Sequence, residues 1–135
     1  MKLKKVIQIK HKISTTAWKV AKISRPKIIK GITIQYKTVE GTLYVTVNWD
    51  DTTQQIIEII PIIGHSGQIP QCWCNTVGKI SSSLLKRNYS PYNLKRMLKR
   101  QQAGQIIYSN GKKVKSVPYA IGLAIEETLK ILEAK

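Results

Sequence analysis

Apolar and polar residues alternate in the first half of the chain. Ile32, Ile34 and Tyr36 mark one stretch, Leu43 to Trp49 a second, and the nearly continuous isoleucines of Gln55–Ile63 a third. Period-two alternation in β-branched and aromatic residues predicts strands. An unbroken apolar run predicts a strand covered on both faces or buried at its end. Val39-Glu40-Gly41 and Asp50-Asp51-Thr52-Thr53 supply short turns between them, so the three strands are expected to form an antiparallel meander.

Beyond Gly64 the period lengthens. Trp73, Val77, Ile80 and Leu84 recur at spacings of four, three and four, predicting a helix with that face buried. A second helix is expected over Ser90–Gln102, with Ser90 as N-cap, Pro91 at its first position and a stop near Gly104. Lys95, Arg96, Lys99 and Arg100 fill one stripe of it, with Leu94, Met97 and Leu98 on the other side. Gln105–Tyr108 reads as a short strand or extended link, followed by a turn at Ser109–Lys112. A last helix starts at Pro118 and runs through Ile121, Ile125, Leu129 and Leu132, with Glu126 four residues before Lys130. The fold class is α+β: a three- to four-stranded antiparallel meander covered by about three helices.

The segment before Arg25 differs. It holds Lys2, Lys4, Lys5, Lys10, Lys12, Lys19 and Lys22, with Ile7, Ile9, His11 and Ile13 alternating. It is expected to be a partly ordered basic extension (residues 1–24), with an edge strand over Lys5–Ile13, ahead of a domain over residues 25–135. Its charges interrupt any apolar core of a secretory signal. The chain as a whole lacks the ~18 uninterrupted apolar residues of a membrane span. Two closely spaced cysteines, Cys72 and Cys74, make no disulfide framework, which fits a reducing, cytoplasmic setting.

Charge changes the picture most. Twenty-three basic residues face seven acidic ones, a net charge of +16. Such a field favours polyanions, nucleic acid first and an anionic membrane surface second. Lysines outnumber arginines nineteen to four, which suits phosphate contacts better than reading of guanine edges. The basic residues fall in two groups, one up to Lys30 and one from Lys86 to Lys115, while the meander and last helix carry all the acids. Lys86, Arg87, Lys95, Arg96, Lys99 and Arg100 surround Tyr89 and Tyr92, which could stack on bases or bond phosphates, or else only brace the turn. Together with Lys112, Lys113, Lys4 and Lys5 these are the candidate nucleic-acid-binding residues. A helix-turn-helix across Asn88-Tyr89-Ser90 is a subsidiary expectation.

The order of several short motifs resembles the TSCPD domain. That domain occurs at the C-terminus of vitamin B12-dependent ribonucleotide reductases and in small free-standing proteins. The similar residues are Arg25-Pro26 with Gly31, the hairpin Thr42–Asn48, Gly64-His65-Ser66-Gly67, Gly78–Leu85, and Ser116-Val117-Pro118-Tyr119 before the last helix. The family's naming motif has cysteine and aspartate where this chain has Val117 and Tyr119, so no thiol, metal or redox role carries over. The resemblance implies an α+β fold and leaves open a partner among nucleotide-metabolism enzymes.

Catalysis and metal binding find little support in the residues. Cys72 and Cys74 on a helix point about 200° apart, a poor start for one tetrahedral ion even with His65 and His11. No nucleophile–base set is recognisable. Gly64–Gly67 precedes a helix and could cradle phosphate, but it lacks a P-loop's lysine and spacing and suits a tight connection better. The expectation is a non-enzymatic, cytoplasmic or nucleoid-associated protein without cofactor or metal. It binds nucleic acid, DNA favoured over RNA, with a protein-interaction module for an enzyme or host factor as alternative. A homodimer through an isoleucine-rich sheet edge and a phage or mobile-element origin are compatible with this composition.

Overall fold

A computed structural model describes residues 22–64 and 68–134. Strands β1 (Lys30–Thr38), β2 (Gly41–Asp50) and β3 (Gln55–Gly64) form one antiparallel sheet in that order. Alternation decides its two faces. Leu43, Val45, Val47 and Trp49 of β2 point inward with Ile59 and Ile63 of β3 and Tyr36 of β1, all buried. A register shift between Asn48 and Trp49 leaves Ile57 as an extra residue on β3, also buried.

Helix α1 (Gln68–Lys86) lies along β3, α3 (Val117–Glu133) lies on β2 and β1, and the short α2 (Pro91–Lys99) lies on α3. Between α2 and α3, β4 (Ile107–Ser109) and β5 (Lys112–Val114) make a separate two-stranded ribbon. Asn110 and Gly111 at its tip both have positive φ, 53° and 74°, as a tight hairpin turn demands. The α+β class and the meander are therefore present, with the ribbon in place of the expected short strand or link.

Two faces were misjudged from periodicity. On α1 the buried positions are Cys74, Gly78, Ser81 and Leu85; of the expected face Trp73 and Val77 pack half-buried against the core, while Ile80 is 57% exposed. A Cβ on Gly78 would lie 2.5 Å from Pro61 Cδ and 3.1 Å from the Ile59 carbonyl oxygen, so α1 approaches β3 through small residues. Apolar counting does not register such a face. On α2, Met97 is 45% exposed, and the face turned to α3 is Leu94, Lys95, Leu98 and Lys99. There Gly122 of α3 fits against the Lys95 carbonyl and the Lys99 stem. The helix closes at Lys99 rather than Gln102, with Arg100 as C-cap.

The sheet edges are partly satisfied within the chain. Ser82 Oγ accepts from the Ile59 N–H at 2.9 Å and donates to its carbonyl, Gln71 Oε1 accepts from the Ile63 N–H at 2.9 Å, and Pro61 has no N–H to offer. On β1, Ser109 Oγ accepts from the Lys37 N–H and Asn110 Nδ2 donates to the Gln35 carbonyl. At these positions the edge argument for a homodimer loses its basis. The expected strand at Lys5–Ile13 and residues 65–67 of the Gly64–Gly67 loop lie outside the described residues.

Candidate nucleic-acid interface

The cations expected on α2 are not one free stripe. Lys99 Nζ donates to Glu126 Oε2 at 2.7 Å, and both Lys99 and Lys115 sit 5.5 Å from the centre of the Tyr119 ring. Lys95 lies 5.8 Å over the Tyr92 ring, and the Tyr92 hydroxyl donates to Glu133. Tyr89 is half-buried against the core, its hydroxyl 3.8 Å from Met97 Sδ. Both tyrosines thus hold the α1–α2 link and the α3 end in place. Arg96 and Arg100 are exposed. Because α2 packs on α3 rather than on α1, the two helices do not form a helix-turn-helix. Lys112 pairs with Glu127, Lys113 is exposed on β5, and Lys4 and Lys5 lie outside the described residues.

A second cationic surface sits where α1 runs beside β3. The Ile23 N–H donates to the Lys86 carbonyl at 2.8 Å, tying the N-terminal basic group to the start of the second. Lys22, Lys79 and Lys86 then line a groove of about 360 Å³ with Asn75, Ser83 and Ile60. Arg87 donates to the Ser83 hydroxyl beside it. Lys22 and Lys79 were not among the expected site residues. The i,i+7 spacing of Lys79 and Lys86 on one side of α1 was the available signal.

One carboxylate shares this groove. Glu58 accepts from Arg25 Nε at 3.1 Å and from Asn48 Nδ2 at 2.7 Å. Burial pushes its carboxyl up, but the bonds from Asn48 and Arg25 outweigh it and hold the group below its ordinary range. Gly31 completes the arrangement, since a Cβ there would collide with Asn48 Oδ1. Arg25 and Gly31, far from Glu58 in sequence, thus converge on one cross-strand row, Gly31–Asn48–Glu58.

The motif before the last helix is a cap. Ser116 Oγ accepts from the Tyr119 N–H at 3.0 Å and donates to the Gln101 carbonyl, and Pro118 sits in the first turn. Every resembling motif within the described residues therefore has a structural office. The chain matches the TSCPD domain over residues 10–129, most of its length. It belongs to the TSCPD domain family. No curated protein and no solved structure matches it. Relative to the TSCPD naming motif, Val117 is a buried apolar residue in the cysteine position. Tyr119 takes the aspartate position and faces two lysines through its ring rather than through a carboxylate.

Cys74 is fully buried, and burial, with a smaller push from Glu40, raises its thiol to about 11; Cys72 is exposed. Among the described residues no group of three or more His, Cys, Asp or Glu is placed to hold a metal ion. Among those residues no helix is long and apolar enough to cross a membrane.

Proposed function

We propose that this TSCPD protein is a small, non-enzymatic, basic nucleic-acid-binding protein that contacts phosphates, DNA favoured over RNA, and works in the cytoplasm or nucleoid. The observation that carries the reading is how its charges pair. All seven acids fall among the described residues, and Asp51, Glu58, Glu126 and Glu127 are taken up in ion pairs with Lys30, Arg25, Lys99, Lys130 and Lys112. Ten described cations, Lys22, Lys27, Lys37, Lys79, Lys86, Lys95, Arg96, Arg100, Lys113 and Lys115, sit in no ion pair, so the unbalanced charge is carried by side chains that no carboxylate takes up. Titration of labelled duplex DNA, single-stranded DNA and RNA with nuclease-treated protein at 50 mM salt tests this. Binding to at least one is expected, and failure to bind any of them removes the reading.

A second reading, a protein-interaction module for a nucleotide-metabolism enzyme or host factor, draws on exposed apolar residues of the sheet. It predicts salt-tolerant capture of a protein partner.

A further inference from the structure

Among the described residues the outer face of the sheet carries exposed side chains on all three strands. Cross-strand pairing lays out its rows as Lys37–Thr42–Gly64, Gln35–Tyr44–Ile62, Thr33–Thr46–Ile60 and Gly31–Asn48–Glu58. Tyr44 is 42% exposed, Ile60 39% and Ile62 50%. Directly opposed and diagonal positions lie within about 5–8 Å of each other, so these three side chains form one apolar patch with an aromatic ring in it. Ile60 also lines the groove of Lys22, Lys79 and Lys86. The patch and the lysines are therefore continuous across β3. Lys37 and Arg25 stand at opposite corners of the same face.

Resting on the nucleic-acid reading, we infer that the ligand is a single strand, lying across the open sheet face with its backbone in the α1–β3 groove. Lys22, Lys79 and Lys86 meet the phosphates, while Tyr44, Ile60 and Ile62 receive unstacked bases. Charge complementarity selects a polyanion. The apolar patch selects its form, because a duplex presents phosphates and groove edges to a sheet face and keeps its base faces stacked inside. A single strand presents both, and an aromatic ring beside cations is the arrangement that such strands use. Lys79 and Lys86, seven residues apart on α1, stand about 10 Å apart along the helix axis, room for more than one phosphate. The α2 surface is less suited, since Lys99 is committed to Glu126 and Tyr92 to Glu133.

The test compares single-stranded and duplex DNA of one sequence at fixed salt, using the full chain, Tyr44→Ala, and Lys79→Glu/Lys86→Glu. Circular dichroism of each variant checks that it folds. Tighter binding of the single strand is expected. Tyr44→Ala should weaken it at least about fivefold, as loss of one stacked base does, with little effect on duplex binding. Photo-cross-linking of 4-thiothymidine-substituted single strands should map to β2 and β3, a result that does not depend on any variant folding. Equal or tighter duplex binding, or cross-links confined to α2 and the ribbon, would overturn the inference while leaving the nucleic-acid reading intact. No binding to any nucleic acid would remove both.

Discussion

Replacing Gly78 by alanine probes the contact that builds the groove. In an exposed helix this change would stabilise by about 1 kcal/mol through helix propensity. Here the new methyl meets two rigid neighbours, Pro61 Cδ at 2.5 Å and the Ile59 carbonyl oxygen at 3.1 Å. Helix α1 has to move off β3 to restore ordinary contact. Overpacking of this kind costs about 1–3 kcal/mol. The same movement stretches the Ser82–Ile59 and Gln71–Ile63 bonds, which contribute roughly 1 kcal/mol each. The net expectation is a loss of about 2–3 kcal/mol and a fall in Tm of roughly 10 °C. Urea unfolding followed by tryptophan fluorescence measures it. Adding Pro61→Ala isolates the contact, and the double-mutant cycle should return a coupling of about 1 kcal/mol or more. A Gly78→Ala protein more stable than the parent, with no coupling to Pro61, would refute the close approach.

Other outcomes follow from the pairing of charges. Lys99→Ala should destabilise by about 1 kcal/mol, since it removes the Glu126 pair and a stem packed at Gly122, whereas Arg96→Ala and Arg100→Ala should be within about 0.5 kcal/mol of the parent; equal urea midpoints for all three would contradict this. Stability should fall in acid. Hydrogen bonds from Lys99 and Lys112 hold the Glu126 and Glu127 carboxyls below their ordinary range, and those from Asn48 and Arg25 outweigh burial at Glu58. Their folded values lie below the unfolded ones, so the stabilisation is full above about pH 4.3 and is lost as pH falls through the folded values. A Tm unchanged between pH 6 and pH 3 would refute it. Ellman's reagent should find one reactive thiol in the native protein, Cys72, and two after unfolding, because Cys74 is buried with its thiol raised to about 11.

What the sequence disclosed depended on how each element advertises itself. Strands β1–β3 were legible because their alternation carries both β propensity and one buried face, and Ser90-Pro91 announced a helix start through cap chemistry, whereas the cap at Ser116, one residue ahead of the helix Val117–Glu133, was not read and the start was placed at Pro118. The α1 face was not, because Cys74, Gly78 and Ser81 pack by being small. The α2 face was not, because Lys99 buries its stem against Gly122 while its charge reaches Glu126, and the half-buried Lys95 turns its charge to Tyr92. Ribbon strand β5 consists of Lys112-Lys113-Val114, a composition that signals solvent, yet it is held by pairing with β4. The candidate interface was half legible. Net charge pointed to a polyanion, but local sequence cannot tell a lysine already paired with a glutamate from one open to solvent. Only the fold brings Lys22 beside Lys79 and Lys86.

The most direct test of the central claim is the salt dependence of binding to a labelled single-stranded oligonucleotide, measured by fluorescence anisotropy between 50 and 200 mM salt. With six to ten phosphates of a single strand engaged, affinity should fall roughly 300- to 10⁴-fold across that range, and Lys79→Glu/Lys86→Glu should flatten the slope. A flat salt response in the parent protein, or no binding at 50 mM despite a net charge of +16, would contradict the account.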